Sequence, residues 1–138
     1  GPPKKILYTA AWLDHQVSNQ CTEIAARTMN LPMLEGSVQQ RVVGIPDVAG
    51  PQDAGLIYYD LGELDLFAPA HEEDIPPLAN LIVQGTCDPH PRQPGVRAGI
   101  RQLTAFLTDG RIRSYCDGVC DAATPEERTV LGTCDPSR

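Results

Sequence analysis

The chain has 138 residues, 41% apolar and 5% aromatic, and its 11 basic groups against 18 acidic ones leave a formal net charge of -7. That length has room for one hydrophobic core, so a single globular domain over residues 1–138 is expected, whether or not it is a piece excised from a longer protein. No apolar run reaches the roughly 18 residues of a membrane helix, the opening Gly1-Pro2-Pro3-Lys4-Lys5 lacks the apolar stretch of a secretion signal, and an acidic chain repels phosphate backbones. The expectation is a soluble, cytoplasmic chain with no membrane and no nucleic-acid partner.

Lys4 to Ala11 reads as a charged edge running into a buried strand, followed by a loop from Trp12 to Val17. Ser18 is placed to cap a helix whose apolar face would carry Cys21, Ile24, Ala25 and Thr28, with Pro32 ending it; on this spacing Cys21 belongs to the core. Arg41 to Ile45 predicts a second strand, stopped by Pro46-Asp47. Leu56 to Phe67 offers one or two more, and Leu78 to Gln84 another. Pro69, Pro76 and Pro77 allow at most one helical turn between them. Val96, Ile100, Leu103, Phe106 and Leu107 recur at helical spacing, Asp109-Gly110 is a turn, and Arg111 to Cys116 alternates as a strand. Thr124-Pro125-Glu126-Glu127 is a capping box that opens a last helix, closed by Gly132. This order predicts an α/β (or α+β) fold: a small three-layer sandwich with a mostly parallel central sheet of about four or five strands and about three helices.

Charge is distributed unevenly. Residues 42–91 hold no Lys or Arg but nine acids, interleaved with Leu56, Ile57, Tyr58, Tyr59 and Phe67, so this stretch is a folded acidic face, read first as solvated, that could also meet a basic partner or hold a cation. Arg92, Arg97 and Arg101 form the dense basic cluster at a predicted helix start, where guanidinium forks and backbone N–H groups suit a phosphate or carboxylate. Pairing of these arginines with the acidic stretch is the alternative.

In an open parallel sheet, ligands bind beyond the carboxyl ends of the strands. That rule gathers Asp14 and His15, Asp47, Cys87, Asp88 and His90, and Cys116 and Asp117. Cys87-x2-His90 followed by Cys116-x3-Cys120 also has zinc-ligand spacing, with Cys134 as a substitute thiol. Buried thiols, or a disulfide from Cys116 to Cys120 or Cys134, compete with that reading. Gly-Thr-Cys-Asp-Pro occurs at 85–89 and 132–136, which reads as a turn-forming phrase more than a duplication. His71 lacks the second histidine of a zinc-protease helix and reads as surface; Trp12 reads as a core anchor. Neither a dinucleotide-binding nor a P-loop glycine motif is present. The opening strand, loop and helix is similar in general cast to small α/β folds that handle nucleotides, such as TIR or nucleoside deoxyribosyltransferase domains. The likeness covers about the first thirty residues and no catalytic motif, so it implies no residue roles.

Two functions are compatible with this pattern. One is a ligand-binding or protein-interaction module with structural zinc on Cys87, His90, Cys116 and Cys120, presenting its acidic face to a basic protein. The other is a small hydrolase or transferase acting on an anionic, nucleotide-like small molecule, with Asp14, His15, Asp88 and His90 near Arg92, Arg97 and Arg101. The first needs only four ligands to meet and ranks slightly ahead.

Overall fold

The computed structural model describes residues 4–14, 16–38, 42–61, 89–90 and 95–120. Its elements are β1 (Ile6–Ala11), α1 (Asn19–Thr28), β2 (Met33–Leu34), β3 (Asp47–Val48), β4 (Ala54–Tyr59) and α2 (Arg97–Asp109). The strands form one four-stranded sheet in the order β1-β4-β2-β3, and every pairing within it is parallel. The fold is therefore α/β, as the alternation of elements predicts.

β4 is inserted between β1 and β2, so it is paired on both edges and buried from Gly55 to Tyr59. Its register against β1 sets Ala10 beside Tyr58 and Ala11 beside Tyr59. Small residues next to large ones let both tyrosines lie fully buried. Side chains alternate across the strand, and the core divides accordingly. Leu56 and Tyr58 join Ala10, Met33 and Ala26 of α1 in one cluster, while Ile57 and Tyr59 join Ala11, Leu34, Ile112 and the start of α2 at Val96 in the other. Trp12 extends the first cluster with an edge-to-face contact on Tyr58, its ring centroid 5.9 Å away.

Several expectations are corrected. Residues 43–44 form a turn, with Gly44 at φ 78° and Val43 exposed, so the strand expected at Arg41 to Ile45 falls instead at Asp47–Val48. Two-residue strands such as β2 and β3 are too short to show a period. Arg111 to Cys116 contributes one antiparallel bridge, Ile112 to Gln52, and no strand. α1 ends at Thr28 with Asn30 at φ 53°, well before Pro32. Ser18 caps it as predicted, but the buried residues are Asn19, Thr22 and Ala26, while Cys21 and Ile24 are exposed. The strand expected at 78–84, the later part of 56–67, His71 and the helix expected at 124–132 lie outside the described residues. No helix among the described residues is long and apolar enough to cross a membrane.

Burial holds the hydroxyls of Tyr58 and Tyr59 well above the ordinary phenol value; Glu23 adds repulsion to the Tyr58 phenolate. Above about pH 10 the unfolded chain sheds these protons and the folded chain keeps them, so stability is complete below that pH and falls as pH rises further. Ultraviolet titration of tyrosinate should show Tyr58 and Tyr59 ionising only together with loss of the circular dichroism of the fold. Ionisation of all tyrosines with the fold intact would contradict this packing.

Candidate functional site

The carboxyl end of β1 is organised by a side chain that the sequence pattern assigns no role. Asn19 is fully buried at the first position of α1. Its Nδ2 donates to the Ala11 carbonyl at 2.7 Å and its Oδ1 accepts from the Leu13 N–H at 2.9 Å. One amide thus satisfies a donor and an acceptor of a chain turning away from the sheet, groups that would each cost about 1–3 kcal/mol if buried unpaired. The turn holds Leu13 at φ 63°, a left-handed conformation that costs a side-chain-bearing residue roughly 1–2 kcal/mol. The available signal was Asn19 directly after a serine that already caps the helix, a position where asparagine is otherwise a poor helix former.

Leu13 delivers Asp14, 6% exposed, just beyond the strand. Oδ1 of Asp14 accepts the N–H groups of Gln16 and Val17, each at 2.9 Å. Oδ2 lies 2.8 Å from Nδ1 of His90, whose side chain is 42% exposed. The carboxylate is thereby fixed by the backbone of its own loop on one oxygen and holds the imidazole with the other. A residue 76 positions away in sequence is brought to the end of β1 by this contact.

α2 runs antiparallel to β1. The Asp109 carbonyl at its end accepts from Lys5 Nζ at 3.4 Å, just before β1 starts, and Val96 at its beginning packs in one cluster with Ala11, Tyr59 and Leu61. A helix of thirteen residues and a strand of six are both about 20 Å long, so Arg97 lies at the same end of the sheet as Asp14 and His90. Arg97 and Arg101 are exposed and make no ion pair or hydrogen bond among the described residues, whereas Arg111 pairs with Asp53 and Arg113 with Asp109. Within the acidic stretch Asp53 takes an arginine, Arg111, from outside the Arg92, Arg97 and Arg101 cluster.

The same end is closed by residue 120. Its N–H donates to the Gly36 carbonyl at 2.6 Å and its carbonyl accepts from Asp60 N–H at 2.9 Å, so the chain here bridges the ends of β2 and β4. Gly36, at φ 85°, has no room for a side chain: a Cβ there would stand 2.8 Å from Ser114 Oγ and 2.9 Å from the Gly118 carbonyl. Cys116 and Cys120 form a disulfide, with Cα atoms 5.1 Å apart. This is the competing option named from the sequence, and it removes two of the four expected zinc ligands, because disulfide sulfurs are not thiolates. His90 is meanwhile engaged by Asp14, and Cys87 lies outside the described residues, as do His15, Asp88 and Arg92. Among the described residues no three His, Cys, Asp or Glu side chains converge where a metal ion could sit. Asp47, expected at a strand end, is an exposed residue within β3, and Asp117 lies in the disulfide loop.

No family model, no curated protein and no solved structure matches the chain.

Tryptic digestion without reductant should yield the Ser114 to Arg128 peptide lighter by a hydrogen pair than after reduction, and Cys21 should react with a thiol reagent in the folded protein. Alkylation of both Cys116 and Cys120 in unreduced protein would refute the disulfide.

Proposed function

We propose that the chain is a small α/β hydrolase or transferase acting on an anionic small molecule at the carboxyl ends of its strands. The observation that carries this reading is the 2.8 Å contact between Asp14 Oδ2 and His90 Nδ1 at the end of β1. An ionised carboxylate can only accept, so the pair sets the Nδ1–H tautomer and directs general acid–base chemistry to Nε2. Nε2 takes a proton from an attacking water or acceptor hydroxyl and returns it to the leaving group, while Asp14 stabilises the imidazolium formed between the two steps. Arg97 and Arg101, at the same end of the molecule, supply cationic groups for a phosphate or carboxylate.

The two core clusters, one with α1 and one with α2, support the finer expectation of a three-layer single domain. The Cys116–Cys120 disulfide supports an oxidising compartment in place of the cytoplasm. The interaction-module reading, in which the acidic face of residues 42–91 meets a basic partner, is the second reading.

The test is turnover of a panel of phosphate and carboxylate esters by the purified chain. His90→Ala should lower kcat by about 10²–10⁴-fold on a substrate the wild type turns over. Asp14→Asn should also lower kcat while leaving the melting temperature close to wild type, since the asparagine oxygen can still accept from Gln16 and Val17. Undiminished turnover in His90→Ala, or no turnover of any ester by the wild type, would overturn the proposal.

A further inference from the structure

We propose that Cys116–Cys120 is a thiol–disulfide exchange site, opened by a small thiol or dithiol with Ser114 stabilising the leaving sulfur, and that the bond latches the carboxyl ends of β2 and β4. The bond joins positions four apart, and so short a ring removes less freedom from the unfolded chain than a long one does. What it holds is local. Cys120 fastens the Gly36 carbonyl after β2 and the Asp60 N–H after β4, and Ser114 and Gly118, on either side of Cys116, pack directly on Gly36. The two sulfurs differ in access. Cys120 is 1% exposed in the cluster of Ile57, Tyr59 and Ile112, whereas Cys116 is partly exposed and is followed by exposed Asp117, Gly118 and Val119. An incoming thiolate therefore meets Cys116 Sγ, and Cys120 Sγ is the leaving group.

Burial alone disfavours a thiolate at Cys120 and would make it a poor leaving group. Ser114 offsets this. Its Oγ accepts the Cys116 N–H at 3.2 Å and stands 3.8 Å from Cys120 Sγ. A disulfide sulfur carries no hydrogen, so the serine hydroxyl is the donor in that contact, and the bond strengthens as the sulfur becomes an anion. In the first step the reductant's thiolate attacks Cys116 Sγ, a mixed disulfide forms there, and the electron pair of the Cys116–Cys120 bond leaves on Cys120 Sγ. In the second step another thiolate, from the same dithiol or a second thiol, attacks the reductant's sulfur in the mixed disulfide and releases Cys116. The chain gains two electrons and the two protons that the reductant's thiols shed, and the reductant leaves as its disulfide. With the ring open, Cys120 is no longer held over Gly36 and Asp60 by the sulfur bridge.

Timed incubation of the full folded chain with glutathione or dithiothreitol, quenched with N-ethylmaleimide and read on the Ser114 to Arg128 peptide, tests this, because Cys116 and Cys120 are the only cysteines in that peptide. Glutathione is expected on Cys116 with the maleimide on Cys120. Dithiothreitol is expected to open the bond with the circular dichroism of the fold retained, and Ser114→Ala to open about fivefold more slowly. Hydrogen exchange of the opened chain should show loss of protection at the Cys120 and Asp60 amides, with the Leu13 amide unchanged. A bond that dithiothreitol opens only in urea, or whose opening unfolds the chain, overturns the proposal. So does glutathione found on Cys120, a Ser114→Ala chain that opens no more slowly, or protection at Cys120 and Asp60 that survives reduction.

Discussion

A single buried amide controls the geometry at the carboxyl end of the sheet. Asn19 binds the backbone on both sides of Trp12, and its own carbonyl accepts the Tyr58 hydroxyl at 3.2 Å, so β1, α1 and β4 meet at one residue. Asp14 owes its position to that clamp, because only a chain turned sharply at Leu13 brings the carboxylate out beyond β1 while keeping it largely buried. The clamp offsets the strain of the left-handed Leu13 by satisfying backbone groups that would otherwise be buried unpaired. Gln102 plays the corresponding part on α2, where two hydrogen bonds from one buried amide set which face of that helix meets the sheet.

These two amides also account for what a hydrophobic pattern leaves hidden. β1, the Ser18 cap and the extent of α2 are legible because each has a local signature: an apolar run, a capping serine, apolar residues at helical spacing. The orientation of the helices is not legible. Pattern reading puts Cys21 and Ile24 inward on α1, yet Asn19 and Thr22 are buried, since hydrogen bonds to the sheet and to the loop after β1 outweigh apolar area at that contact. On α2 the same competition leaves Ile100, Leu103 and Leu107 in solvent. β2 and β3 were missed for a different reason: each rests on two residues, and their place in the sheet is set by pairing with distant strands.

Of the expected site, Asp14 and His90 were legible as strand-end residues and the structure joins them; that they touch each other was not, because 76 residues separate them. The cysteines show how spacing alone misleads. A Cys-x3-Cys segment has the donors of a half zinc site and also the reach of a disulfide, and the choice depends on the backbone path. Here residue 120 is tied to Gly36 and Asp60, and the turn at Gly118, with φ 84°, returns the chain so that Cys116 and Cys120 meet.

The account depends on Asn19 aiming Asp14 at His90. The most direct measurement is two-bond nitrogen–proton correlation of the His90 imidazole by NMR at neutral pH, in the wild type and in Asn19→Ala. A wild-type ring protonated at Nδ1, with that preference lost in a folded Asn19→Ala chain, is the predicted result. A wild-type ring protonated at Nε2 alone, or an Nδ1–H preference that survives removal of the amide, would contradict it.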